Sequence, residues 1–383
     1  MYIFLGSMNS EFRIPFTLDS DMLEQRKTKD SRTVILNVFL DDILHHNSLL
    51  FFYPIISNAL LNIILSIARE TYFFTPFGTV NAVDNVTFDV KKGQTLGLVG
   101  ESGCGKTTIA YSIMRLIPSP GKIVDGEILL NGENILKIDE KDFRKYRWKE
   151  LSMIFQGAMA AFNPLYTIGN QISEAMLYHL DINKKDAMKR SEELLESVGM
   201  EKDRVNNYPW ELSGGMRQRA MIAMALAANP TILIADEPTT ALDVIVSKQI
   251  MDLIKSIREK LNLTMLLITH DISVVAQTCD EVAVMYAGKI VEKASTSKIF
   301  KNSYHPYTTA LIEAFPNIKG PNRDLKGIPG NPIDLMDPPD GCRFAERCSL
   351  AKENCFHDEP ILTMVEDQHF VACHYWKEVT RRR

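Results

Sequence analysis

Residues 100–108, GESGCGKTT, constrain this chain more than any other stretch. They fit the pattern G-x-x-x-x-G-K-[ST], with Gly100, Gly105, Lys106 and Thr107 at its fixed positions. Phosphate needs several donors converging on one point. A glycine-rich turn supplies them as backbone N–H groups, because the main chain can come close where Cβ atoms are missing. A helix beginning near Lys106 adds its positive dipole end. Residues 95–99 (TLGLV) read as a short buried strand that runs straight into the turn. Strand, turn and helix together predict that Gly100, Glu101, Ser102, Gly103, Cys104, Gly105, Lys106, Thr107 and Thr108 cradle the phosphates of a nucleotide. Lys106 is expected to bridge the β- and γ-phosphates, and the Thr107 hydroxyl to ligate Mg²⁺.

The surrounding texture fits an α/β fold. Further strands are predicted at 80–90, 127–130, 232–235 and 265–268. A long, mostly helical region spans 140–226, and another helix spans 244–260. Strands alternating with helices indicate a parallel sheet. After residue 318 the spacing of Pro321, Pro329, Pro332, Pro338 and Pro339 makes the chain loop-rich, which places a domain boundary near Gly320. The first seventy residues show no sustained period. Residues 49–68 carry no formal charge and are long enough to span a bilayer. Pro54, Ser57, Asn58, Asn62 and Ser66 interrupt them, however, and a dispensable appendage is the plainer reading. The organisation expected is therefore an N-terminal extension over 1–70, a nucleotide-binding domain over 71–320 and a smaller domain over 321–383.

The formal net charge of −5 supplies no global field for nucleic acid or anionic lipid. The basic triple at 381–383 reads as a solvated terminus. No secretory signal opens the sequence, so a cytosolic setting is expected, in which cysteines stay reduced or bind metal. Four of the six, Cys342, Cys348, Cys355 and Cys373, crowd near the C-terminus.

Two more motifs carry chemistry. Residues 232–237 (ILIADE) are an apolar strand ending in two carboxylates, which places Asp236 and Glu237 at the sheet edge beside the phosphates. Asp236 is expected to hold Mg²⁺ through its water shell, and Glu237 to polarise the attacking water. The stretch LSGGM, comprising Leu212, Ser213, Gly214, Gly215 and Met216, leads into a helical run and forms a second helix N-terminus suited to phosphate. These motifs, in this order, resemble an ATP-binding cassette (ABC) domain over about residues 72–303, with its parallel-sheet core and helical subdomain.

The resemblance implies the roles of several residues. Gln156, within MIFQGAMAAFNP, is similar to the glutamine that senses Mg²⁺ and nucleotide beside the membrane subunits. Ala241, Leu242 and Asp243 resemble the loop that crosses to a partner subunit, and His270, in LLITHD, resembles the histidine that contacts the γ-phosphate. An aromatic stacking on adenine is expected at Phe73 or its neighbour Phe74. The family pairs two such domains head to tail, each ATP lying between one glycine-rich loop and the other subunit's LSGG. The expected assembly is a related ATPase subunit (or a second copy), two transmembrane permease subunits and an extracytoplasmic solute-binding protein, with the ATPase peripheral on the cytoplasmic face of the cell membrane. A soluble cassette acting on nucleic acid is the rival reading, against which stand the single set of motifs and the acidic charge.

A narrower resemblance covers the remainder. HPYT at 305–308, IPG at 328–330, the pair at 338–339 and GCRFAERC at 341–348 look like the C-terminal extension of oligopeptide and dipeptide importer ATPases. Relatives with this tail include importers of nickel and of oligosaccharides. The four cysteines lack the close pair of a typical zinc site, and their longer loops suit a larger object. The resemblance likewise implies a [4Fe–4S] cluster, with zinc as the alternative and His357, His369 and His374 as other candidate ligands. Cys104 is expected to confer sensitivity to thiol reagents.

Overall fold

A computed structural model of the protein describes residues 63–314 and 327–379. The expected appendage therefore lies outside the described residues up to 62, as do the boundary near Gly320 and the basic triple at 381–383. Where description begins the chain is already a strand: β1 (Ile63–Thr75) turns at Gly78 into β2 (Gly78–Lys91), its antiparallel partner. Among the described residues β1 thus precedes the first strand expected from the sequence, at 80–90. The last six residues of the apolar 49–68 stretch belong to a strand, not to a spanning helix. Among the described residues no helix is long and apolar enough to cross a membrane.

Next come β3 (Thr95–Val99), α1 (Lys106–Ile113), β4 (Gly121–Leu130), the two-residue β5 (Glu133–Asn134) and the single turn α2 (Glu140–Phe143). A four-residue strand β6 (Leu151–Ile154) then interrupts the region expected to be helical. The helical subdomain follows as α3 (Ala158–Ala161), α4 (Ile168–His179), α5 (Lys184–Ser197) and α6 (Gly214–Ala225). Their starts are written in the sequence: Thr167, Asn183 and Ser213 each turn a side-chain oxygen onto a free N–H of the first turn. The chain returns through β7 (Ile232–Asp236), α7 (Val244–Leu261), β8 (Thr264–Thr269), α8 (Ile272–Thr278), β9 (Glu281–Tyr286), β10 (Lys289–Ser295), α9 (Thr296–Lys301) and α10 (Pro306–Glu313). It ends in a loop-rich segment with a short hairpin, β11 (Thr363–Glu366) and β12 (His369–Val371).

Two sheets result. One is antiparallel, in the order β2-β1-β4-β5. The other runs β11-β12-β10-β9-β3-β8-β7-β6, parallel from β9 through β6 and antiparallel beyond β9. It is a mixed sheet, because the C-terminal hairpin adds its strands to the edge at β10. The parallel strands are buried on both faces and so lack an alternating polar pattern. Their side chains alternate between two cores. Leu96, Leu98, Ile234, Leu266 and Ile268 pack with Phe88 and Ile128 of the antiparallel sheet, whereas Leu233, Met265 and Leu267 pack with Ile172, Met176 and Met221 of the helical layer. Full burial of each such side chain contributes about 1.5–3 kcal/mol, so these two layers fix the strand register that positions the site. Helix α7 docks on the second core through Ile250, Met251, Ile254 and Ile257 and stops at Asn262, whose φ of 49° is left-handed.

Candidate active site

The carboxyl ends of β3, β7 and β8 point to one edge of the sheet, where ligands bind in open α/β folds. The loop leaving β3 is held tightly. A Cβ added to Gly105 would lie 2.0 Å from the Ala82 carbonyl oxygen, and its φ of 103° is one that side chains rarely adopt. Only glycine fits there. Lys106 opens α1 and is buried, its Nζ folded onto the carbonyl oxygens of Gly100 (2.8 Å) and Glu101 (2.9 Å). Ser102 and Gly103 lie exposed at the tip. Cys104 is buried, and burial pushes its thiol pKa up. It has neither the exposure nor the thiolate that reagents attack, so the expected thiol sensitivity lacks a structural basis.

Asp236 ends β7 fully buried. The Thr107 hydroxyl donates to its Oδ1 at 3.2 Å, and its Oδ2 has no partner. Burial lifts its pKa to about 6 and Glu237 adds to the rise, while the hydrogen bond from Thr107 and the charge of Lys106 oppose it. A carboxylate with one orphaned, dehydrated oxygen beside a threonine hydroxyl suits a hard divalent cation. Glu237 follows with a φ of 43°, a left-handed conformation uncommon outside glycine, fixed by its N–H donating to the Ile268 carbonyl oxygen at 2.9 Å. Its carboxylate accepts from Gln156 Nε2 (3.0 Å) and Thr240 Oγ1 (2.8 Å), and His270 Nδ1 lies 3.2 Å from Oε1. Burial raises the pKa of Glu237, but the hydrogen bonds from Thr240 and His270 outweigh it, and the net result lies below the ordinary carboxylate range.

Lys106, Thr107, Gln156, Asp236, Glu237 and His270 thus meet at one edge, although 164 residues separate Lys106 from His270. Thr240 was missed by sequence reasoning, since a threonine three residues after a glutamate looks like any loop residue. In the signature segment Leu212 is buried, Ser213 caps α6 by accepting from Met216 N at 3.3 Å, and Gly214 is exposed. Among the described residues its hydrogen bonds run to near neighbours in the chain rather than to the loop at 100–108. A Cβ on Gly215 would meet Val246 at 2.8 Å. Ala241 takes a left-handed φ of 65°, Leu242 is half-buried, and Asp243 caps α7, leaving Val244 and Ile245 almost fully exposed. Phe73 is half-buried against Gly121, whereas Phe74 is exposed with Lys122 over its ring.

Two residues far along the chain also touch the loop at 100–108. The Glu101 N–H donates to Tyr307 Oη at 2.9 Å, and Arg347 grips the Glu101 carboxylate with two hydrogen bonds of 2.7 and 2.9 Å. In the same C-terminal segment Cys342, Cys348, Cys355 and Cys373 line one cavity together with His305, His374 and Tyr375. Burial raises the thiol pKa of Cys342 to about 11 and that of Cys373 to about 12. No three side chains among the described residues close to the spacing of a bound metal ion. His369 is occupied elsewhere: fully buried, it pairs with Glu292 at 2.7 Å.

Comparison with known proteins agrees with this geometry. Residues 83–240 match the ABC transporter family, and residues 291–355 match the oligopeptide/dipeptide transporter C-terminal region. The chain is 45% identical over 314 residues to a probable peptide ABC transporter ATP-binding protein of Sinorhizobium fredii, a match covering 81% of this chain and 94% of that one. It is 47% identical over 311 residues to the oligopeptide transport ATP-binding protein OppD of Bacillus subtilis, covering 80% and 86%. Among solved structures, a dimeric ATP-binding cassette in a post-hydrolysis state bound to ADP and Pi superposes with a TM-score of 0.55 at 28% identity, covering 61% of this chain and 98% of that one. The chain belongs to the ATP-binding subunits of the oligopeptide/dipeptide ABC transporter family.

Proposed function

We propose that this subunit hydrolyses ATP to drive the import of di- and oligopeptides across the cell membrane. The observation that carries the reading is the convergence of Lys106, Thr107, Asp236, Glu237, Gln156 and His270 at one sheet edge in a chain whose C-terminal region is of the peptide-importer type. Residues 100–108 cradle the triphosphate, Lys106 swinging from its loop carbonyls to the β- and γ-phosphates, with Phe73 under the adenine. Thr107, Asp236 and Gln156 hold Mg²⁺, which when bound neutralises phosphate charge. Glu237 orients and deprotonates the attacking water, and its depressed pKa keeps it ionised for that task. His270 steadies Glu237 and reaches the γ-phosphate.

The signature residues Leu212–Met216 make no hydrogen bond to this chain's own loop among the described residues and serve the ATP of a second subunit. The segment 241–243 and the exposed Val244 and Ile245 would meet that subunit. The partner is a related ATPase, or a second copy, on two membrane permeases fed by an extracytoplasmic binding protein; the subunit sits peripherally on the cytoplasmic face. Within it, the ATPase domain expected over 71–320 also takes in the strand that begins at Ile63, and 321–383 form the C-terminal domain. The four cysteines hold a [4Fe–4S] cluster, zinc being the alternative. What supports this reading is that the four cysteines line one cavity and lack, in sequence, the close pair of a typical zinc site.

The test is ATP hydrolysis by the complex purified through this subunit, with and without peptide-loaded binding protein. Peptide-dependent stimulation that disappears in Lys106→Ala is expected. Membrane subunits that co-purify but ignore peptides would move the substrate to nickel chelates or oligosaccharides.

A further inference from the structure

An acidic residue inside a phosphate-binding loop is an electrostatic liability. Glu101 follows the first glycine of the loop, and an unpartnered carboxylate there would repel the triphosphate at close range, where few water molecules screen it. The chain answers with a cation brought from 246 residues away. The Arg347 side chain is only 4% exposed. Its guanidinium meets both carboxylate oxygens of Glu101, donates from Nε to the Pro329 carbonyl oxygen at 2.7 Å and touches the Tyr286 hydroxyl at 3.2 Å. Such a two-pronged pair, with its guanidinium buried, fixes orientation as well as charge.

A second arginine from the same short segment supports the loop from behind. Arg343 donates to the Ala287 carbonyl oxygen and pairs with Asp84. The turn it holds returns the favour, since the Gly288 N–H donates to the Cys104 carbonyl oxygen at 3.0 Å. Residues 343–347 therefore hold the phosphate loop along two separate routes, one through a side chain and one through the backbone of a neighbouring turn.

We propose that Arg347 is a positioning residue for nucleotide binding: it neutralises Glu101 and pins its carboxylate away from the phosphates, so that the C-terminal segment completes the ATP site. This inference rests on the nucleotide reading of residues 100–108.

The experiment measures Mg·ATP affinity by equilibrium binding to the full-length chain, and KM and kcat of the purified complex, across a double-mutant cycle. Arg347→Gln should weaken ATP about tenfold, with the loss falling mainly on KM. Adding Glu101→Gln should restore affinity to within about threefold of wild type, because the charge that Arg347 offsets is then gone. Arg347→Lys keeps the charge but not the fork and should fall between. If Arg347→Gln does not fold, the same comparison is made with Arg347→Lys alone and with Glu101→Gln. Affinity unchanged in both Arg347 variants would overturn the inference. Equal weakening with and without Glu101→Gln would overturn it too, since that marks a packing role only. Lys106→Ala keeps the two readings apart: if it binds ATP as well as wild type, the nucleotide reading itself falls. If it abolishes binding while the Arg347 variants bind normally, only the role of Arg347 is lost.

Discussion

Replacing Asp236 by Asn should make the nucleotide-free protein more stable while ending Mg²⁺-dependent hydrolysis. Asp236 is fully buried, and its Oδ2 has no hydrogen-bond partner. Its pKa stands at about 6 against an ordinary 3.8, burial being the largest cause. A rise of about two pH units corresponds to about 3 kcal/mol of cost to the folded state at neutral pH. The folded form holds the proton more tightly than the unfolded chain. Stability is therefore fully present below pH 3.8 and drains away as pH rises through about 6. Asparagine removes the charge and still lets Oδ1 accept from Thr107. It places a buried N–H₂ where Oδ2 was, and an unpaired donor costs about 1–2 kcal/mol.

The difference is a net gain of about 1–2 kcal/mol at pH 8, equivalent to a rise of roughly 2–4 °C in Tm for a domain of this size. Melting wild type and Asp236→Asn in chelator at pH 5 and pH 8 tests both halves of the reasoning. The gap should be largest at pH 8 and shrink towards pH 5, where the wild-type carboxyl takes up its proton. Mg·ATP should then raise the Tm of wild type and leave the variant where it was. A variant less stable than wild type at pH 8, or a gap of the same size at both pH values, would refute the argument that Asp236 is held as a dehydrated carboxylate waiting for a cation.

Three further outcomes are expected. Glu237→Gln keeps an oxygen for Gln156 and Thr240 but loses the base, so kcat should fall by about 10²–10⁴ while ATP binding persists; turnover near wild type would remove Glu237 from the role of base. Gly105→Ala must relieve a contact of 2.0 Å with the Ala82 carbonyl oxygen at an unfavourable φ, a strain of about 1–3 kcal/mol or more, and should cost most of the ATP affinity without altering the far-ultraviolet circular dichroism. Protein purified without oxygen should carry iron and sulfide in equal amounts and lose both in Cys355→Ser; zinc without sulfide would replace the cluster by a single ion.

What the sequence disclosed and what it hid divide along one physical line. Chemistry carried by contiguous residues was legible: the loop at 100–108, the strand ending in Asp236 and Glu237, and the cap at Ser213 all depend on neighbours within a few positions. Buried parallel strands were legible where flanking turns marked them, as at β3, β7 and β8. The four residues of β6 were not, because LSMI between two helical stretches has no period of its own and becomes a strand only by pairing with β7. Nor could the sequence choose between Phe73 and Phe74. Adjacent residues of a strand face opposite ways, and only the register that sets Phe73 across from Gly121 decides which one is half-buried.

The least legible feature is the contribution of the C-terminal segment to the ATP site. Read alone, the stretch from 341 to 348 directs attention to its cysteines and gives its arginines no role. Folding supplies one. Once β12 has paired with β10, Arg347 lies against Tyr286 at the end of β9, one strand over from β3, and the distance to Glu101 is that of a hydrogen bond. Glu101 in turn looks misplaced in a loop built for anions until its partner is seen. Each residue violates a local expectation, and together they cancel: a buried cation and an acidic phosphate loop are both costly alone, and the pair is the form in which the fold tolerates them. A local rule broken twice, at sites far apart in the chain, is a sign that the two breaks belong to one interaction.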